Sequence, residues 1–366
     1  MDLNFFHRIL SVDSTSGKEA ELADILSVEL GAPARKVELF EVGDGTKNIL
    51  VSWGAPKVIF CTHLDTVPPY IPPVFEEGVV RGRGSCDAKG QMSAMYEACK
   101  ELEARGCTDF GLLLLAGEET GSFGAKAFSA MAQETGWSAE WVIVGEPTDN
   151  HMASAAKGTK SFEVTFAGRP CHSGYPENGE SAIMHFNDFM NALRSIVFPT
   201  DPLLGETTWN VGKLVSDNPQ NILSDSLACR VYFRTTFESD QMVCNIMKNI
   251  AGENARLRFG KPRAQDGSDL VAKEVASWQR AMSVRAFGGD APSHFDVLPG
   301  YKTKPVAFGS DAPQLTSFRH KILYGPGSIL VAHRPEEYVM LQDLCNAKNN
   351  YVDMFYDIVR KMENKG

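Results

Sequence analysis

The 366-residue sequence predicts an α/β protein, a doubly wound, mainly parallel sheet domain interrupted by an inserted α+β domain. Two patterns carry that prediction. Short apolar runs at 57–61, 111–116 and 141–144 each end in a polar or acidic loop, and helical periodicity lies between them. That is the βαβ rhythm of a sheet buried on both faces. From about residue 157 the pattern changes: Ser161-Phe162-Glu163-Val164-Thr165-Phe166 alternates with period two, as a half-buried antiparallel strand does. The length also exceeds the roughly 250–300 residues at which a single core stops growing. The expected division is 1–154 and 267–366 for the sheet domain and 155–266 for the insert.

In chain order, residues 4–30 read as helix, broken at Asp13-Ser14-Thr15-Ser16-Gly17 and resuming with Leu22, Ile25, Leu26 and Leu30 at helical spacing. Strands are expected at 48–53 and 57–61, divided by Gly54-Ala55-Pro56. Three glycines in Arg81-Gly82-Arg83-Gly84-Ser85-Cys86-Asp87-Ala88-Lys89-Gly90 mark a shaped loop. A helix follows over 91–104, its stripe of Met92, Met95, Tyr96, Cys99 and Leu102 facing a core. In the insert, 227–233 and 255–259 resemble the 161–166 strand, and 181–196 reads as helix. Beyond it, 270–287 reads as helix, 305–308 and 321–324 as strands, and 337–362 as the C-terminal helix.

Bulk properties narrow the function. A net charge of −10 argues against nucleic acid or an anionic membrane as partner. The eight cysteines are scattered with no C-x-x-C pair, which favours reduced thiols and a cytoplasmic setting. An acid at Asp2 replaces the positive charge of a signal peptide, and no apolar run is long enough to span a bilayer.

The chemistry gathers in loops. His63 and Asp65 lie just past a strand; Glu118 and Glu119 follow the run ending at Ala116; Glu146 follows the run ending at Val144. Asp87 and His333 lie in loops as well. Loops at the carboxyl edge of one sheet converge on one crevice, so these groups can meet. Two imidazoles with several carboxylates suit a pair of divalent first-row metals, zinc, cobalt or manganese. Asp65 can take the second ring N–H of His63 and fix its tautomer. One glutamate of Glu118-Glu119 must stay free to take a proton from water, and residue chemistry alone does not choose between them.

In order and spacing, His63-Leu64-Asp65-Thr66-Val67, Gly84-Ser85-Cys86-Asp87-Ala88-Lys89-Gly90, Gly117-Glu118-Glu119 and Glu146-Pro147-Thr148 resemble the successive signatures of the M20 metallopeptidase family. The resemblance runs along nearly the whole chain. It implies a metal-dependent amidohydrolase with two divalent ions, zinc foremost. His63, Asp87 and Glu146 would hold one ion; Asp87, Glu119 and His333 the other. Glu118 would be the general base and Asp65 the orienter of His63, and the peptide after Asp87 would be cis. The resemblance makes the insert a lid or dimerisation domain, in which Gly168-Arg169-Pro170-Cys171-His172-Ser173 resembles the segment whose histidine supports the oxyanion, often in a partner subunit. Asn221 and Arg234 would bind the substrate carboxylate, with Arg230 a rival, and Gly309 and Ser310 would contact substrate. The implied reaction is deacylation of an N-acyl amino acid, most like acetylornithine deacetylase in arginine biosynthesis. A dipeptidase, carboxypeptidase or desuccinylase is the alternative, and a homodimer is expected.

Overall fold

The computed structural model describes residues 1–43, 45–250 and 277–364. Contacts divide the chain into two compact units: Met1–Ser154 with His294–Lys304 and Ser310–Gly366, and Ala155–Ser293 with Pro305–Gly309.

The first unit is built on a six-stranded sheet in the order Lys36–Gly43, Thr46–Trp53, Phe110–Leu115, Val58–His63, Ala139–Val144, Phe318–Leu323. The last four run parallel, while Thr46–Trp53 pairs antiparallel with both of its neighbours. Every residue of Val58–His63 and Phe110–Leu115 is buried, as the apolar runs 58–61 and 110–115 within them require. Register places His63 beside Leu115 and Cys61 beside Val144, so three strands end together at one edge. That shared edge positions the site.

The helix Lys89–Ala104 packs against the C-terminal helix Leu341–Glu363. The C-terminal helix lays Tyr351 edge-on against Phe60 at 5.8 Å and Phe355 edge-on against Phe110 at 5.6 Å. Phe128, on the helix Phe123–Thr135, meets Phe40 and Phe318. A fully buried side chain of this size contributes about 1.5–3 kcal/mol.

One buried polar link ties this packing to the site. Asn48 Nδ2 donates to the Gly124 carbonyl at 2.8 Å, and Asn48 Oδ1 accepts from the Ala116 N–H at 3.0 Å. Both ends of the Glu118 loop are therefore pinned to a neighbouring strand. Asn48→Ala is expected to leave two backbone groups unpaired, costing about 1–3 kcal/mol for each. A urea midpoint unchanged from wild type would contradict that.

The second unit is a four-stranded antiparallel sheet, Thr208–Val215, Ser226–Thr235, Gly158–Ala167, Met282–Gly288. Exposure alternates along Ser226–Thr235, and the buried set, Leu227, Cys229, Val231 and Phe233, joins a core with Phe189 and Leu193 of the helix Ala182–Arg194.

Several elements differ from the sequence reading. The expected helix over 270–287 is helical only at Ser277–Arg280 among the described residues, and Met282–Gly288 is a strand. Its pairing with Gly158–Ala167 carries the second unit to Ser293, past the expected boundary at 266. The strand expected at 255–259 lies outside the described residues. The C-terminal helix begins at Leu341, because Tyr338–Met340 pairs with Val79–Arg81 instead. Unforeseen elements include the edge strand Lys36–Gly43 and the helix Asp240–Asn249.

Candidate metal centre

His63 is the last residue of its strand, and the Leu64 N–H donates to the Leu115 carbonyl at 2.7 Å, so the Glu118 loop starts alongside it. Gly145 N–H donates to Cys61 O at 2.7 Å, which brings the Glu146 loop to the same edge. Asp87 comes from the glycine-rich loop before the helix Lys89–Ala104, and the Asp87–Ala88 peptide is cis, as the resemblance implies.

Asp87 is the shared member. Its Oδ1 lies 3.1 Å from His63 Nε2 and its Oδ2 lies 3.3 Å from His333 Nε2, so each oxygen faces a different imidazole. His333 Nε2 is also 2.9 Å from Glu119 Oε1. Ligand atoms within 4.8 Å of one another form three sets: His63–Asp87–Glu146, Asp87–Glu119–His333, and His63–Glu118–Glu119. The first two share Asp87. The third takes His63 and Glu119 from those two and adds Glu118.

The donor chemistry fits divalent cations. Among the described residues, the ion pairs of Asp87, Glu118, Glu119 and Glu146 involve only His63 and His333. Four carboxylates, Asp87 and Glu146 buried and Glu118 and Glu119 half-buried, are thus gathered against two imidazoles. Burial, then the neighbouring carboxylates, pushes the Glu118 and Glu146 carboxyls well above their ordinary range. Burial opposes ionisation of Asp87 too, but hydrogen bonds from His333 and His63 hold its carboxyl below the usual value. The His333 ring is pushed up to about 10 by Asp87 and Glu119. A site this short of positive charge is completed by cations, and imidazole nitrogen with carboxylate oxygen is a donor set for zinc, cobalt or manganese. Cys86, though adjacent to Asp87, points its thiol at the Ser328 carbonyl, 3.4 Å away.

Asp65 lies beside His63 and has a second part as well. His63 Nδ1 lies 2.9 Å from the backbone carbonyl of Asp65 and 3.5 Å from its carboxylate, so both groups flank that ring nitrogen, the carbonyl closer. The Asp65 carboxylate accepts the N–H groups of Glu118 and Glu119 at 3.0 and 3.1 Å and the Ser16 hydroxyl at 2.8 Å. It fixes the backbone of the acidic loop more directly than the histidine.

Comparison with known proteins decides the lineage. Peptidase family M20/M25/M40 matches residues 59–357, from the strand that ends in His63 into the C-terminal helix. The chain belongs to that family. A peptidase M20 domain-containing protein of Schizosaccharomyces pombe is 32% identical over 357 residues, covering 94% of this chain and 82% of the relative. A probable carboxypeptidase of Aspergillus clavatus is 29% identical over 385 residues, with 95% and 86% covered. The crystal structure of an M20 family metallo-carboxypeptidase from Sulfolobus solfataricus superposes with a TM-score of 0.72 at 16% identity, covering 96% of this chain and 98% of that one. It has the same fold. As a member of this family, the chain is a metal-dependent hydrolase of amide bonds.

The remaining M20 candidate residues fall in or beside the second unit. His172 is exposed, accepts the Gly174 N–H on Nδ1 at 3.1 Å, and pairs through its backbone with Ile222. Asn221 is its neighbour, because the Asn221 carbonyl accepts the Ser173 N–H. Arg234 and Arg230 share the half-exposed face of Ser226–Thr235, but the Arg230 guanidinium lies over the Phe287 ring at 3.6 Å. A Cβ on Gly309 would come within 3.9 Å of Arg234 Nη1, so those two expected substrate contacts are adjacent. Ser310, buried, opens the last stretch of the first unit.

Two residues given no site role by the sequence sit beside the centre. Glu337 and Arg83, both buried, form an ion pair beneath the Asp87 loop. An acidic pair, Glu336-Glu337, in a polar stretch carries no sequence sign of burial; its spacing of four from His333 was the available clue.

Proposed function

We propose that the protein hydrolyses the amide bond of a small peptide or N-acyl amino acid whose leaving amine belongs to a residue with a free carboxylate. The observation that carries the reading is Asp87 facing His63 with one oxygen and His333 with the other. His63, Asp87 and Glu146 would hold one divalent ion and Asp87, Glu119 and His333 a second, with zinc foremost and cobalt or manganese as alternatives. When bound, such a pair would supply Lewis acidity and make a water easier to deprotonate. Glu118, in neither Asp87 set, takes a proton from the attacking water and returns it to the departing nitrogen. His172 supports the oxyanion, and Arg234 with Asn221 receives the substrate carboxylate, a task suited to a guanidinium fork.

The carboxypeptidase names among the relatives support a peptide as substrate over N-acetyl-L-ornithine. Deacetylation of acetylornithine is the narrower second reading, supported by the sequence motifs alone. A homodimer through the second unit is supported by its edge strand Thr208–Val215, which exposes Leu214 and Val215. Eight free cysteines support a reducing, cytoplasmic setting.

The test is a hydrolysis panel of N-acetyl, N-succinyl and N-formyl amino acids beside dipeptides and their C-terminal amides. It is run before chelation, after it, and after adding back zinc, cobalt or manganese. Chelation should abolish turnover and metal restore it, with dipeptides cleaved and their C-terminal amides spared. Chelator-resistant hydrolysis, or equal rates on free and amidated peptides, would sink the proposal.

A further inference from the structure

The Asp87 loop is held from below by a carboxylate outside every ligand set. Glu337 is fully buried, and its Oε1 accepts three backbone N–H groups: Gly84 at 2.9 Å, Cys86 at 3.1 Å and Asp87 itself at 3.1 Å. Its Oε2 pairs with Arg83 Nη1 at 2.5 Å, and the same nitrogen donates to the Arg334 carbonyl at 3.3 Å. The Glu337 carbonyl in turn accepts the Gly82 N–H at 3.0 Å. Arg83 and Glu337 thus lock two loops together, one carrying Asp87 and the other carrying His333. Three N–H groups converging on one oxygen fix the orientation of those peptides, and Asp87 is one of them.

We propose that Glu337, braced by Arg83, is a positioning residue that aims the Asp87 carboxylate between His63 and His333 and so sets affinity for both ions. This role rests on the two-ion reading above. Glu337 does for the Asp87 loop what Asp65 does for the Glu118–Glu119 loop, holding backbone N–H groups so that side chains point inward. Outer partners of this kind typically change metal affinity by about 10- to 100-fold.

Glu337→Gln tests it. Glutamine keeps the shape but must turn an NH2 toward either the Arg83 guanidinium or the three N–H groups, a donor against donors. The full-length protein is stripped with a chelator, and zinc is titrated against a chromophoric competitor. Binding of both ions should weaken about 10- to 100-fold, while the stripped variant still unfolds cooperatively. Excess zinc should restore kcat in part with KM unchanged. A merely structural role predicts none of this. As the control, Phe355→Ala lowers core stability away from the loop and should keep wild-type zinc affinity. Wild-type affinity in Glu337→Gln overturns the role. Should that variant fail to fold, Glu337→Asp replaces it; its shorter arm loses the N–H groups or Arg83, and the same two outcomes apply. If the wild type binds two ions but cleaves no amide, the hydrolase proposal fails alone and the titration still decides Glu337. If the wild type binds fewer than two, both fall.

Discussion

Glu118→Gln is expected to lower kcat by about 100- to 10,000-fold, the range for loss of a general acid–base group, while metal content stays at the wild-type level. Residue chemistry alone leaves Glu118 and Glu119 equivalent, since adjacent acids after one strand share every local signal, and only the family resemblance chooses Glu118 as the base. Their surroundings in the structure differ in the same sense. Glu119 Oε1 lies 2.9 Å from His333 Nε2 and belongs to an Asp87 set, whereas Glu118 appears only in the set without Asp87. Glutamine at 118 keeps the bulk and one acceptor oxygen but cannot carry the proton. KM should change little, because the lost interaction is made in the transition state. Glu119→Gln should instead release an ion. Metal analysis by mass spectrometry beside steady-state kinetics checks both. An ion lost with Glu118→Gln, or near-normal turnover, would reverse the assignment.

What could be read from sequence follows from how local each signal is. His63, Glu118 and Glu146 were legible because each directly follows an apolar strand, and parallel strands end at a common edge whatever their order. The strand Met282–Gly288 was misread as helix because Met282-Ser283-Val284-Arg285-Ala286-Phe287 is short and mixed, and its conformation is decided by pairing with Gly158–Ala167, more than a hundred residues earlier. Tertiary context overrides propensity in such a segment. Glu337 was illegible for the same reason: its partner Arg83 is 254 residues away, and nothing between Glu336 and Tyr338 announces a buried carboxylate. Asp65 shows a subtler limit. Its spacing from His63 suggests a side-chain contact, and the carboxylate does lie 3.5 Å from Nδ1, but spacing does not reveal that the Asp65 backbone carbonyl is closer at 2.9 Å.

Asp87→Ala is expected to abolish binding of both ions and, with them, activity. Glu146→Ala or His333→Ala should weaken one ion only, because each belongs to a single Asp87 set. The asymmetry follows from Asp87 dividing its two oxygens between the two imidazoles. Stability offers a readout independent of turnover. A ligand that binds only the folded state stabilises it by about 4 kcal/mol per site when its free concentration is 1,000-fold above Kd. Wild-type protein should therefore show a large zinc-dependent rise in unfolding midpoint, Glu146→Ala a smaller one, and Asp87→Ala none. The substitution itself need not destabilise the stripped protein. Removing Asp87 takes away a carboxylate that burial penalises and that raises the Glu118 and Glu146 carboxyls, offsetting its lost hydrogen bonds to the two histidines. An Asp87→Ala protein that still gains stability from zinc would mean that at least one ion is held without the shared carboxylate. The two sites would then be independent.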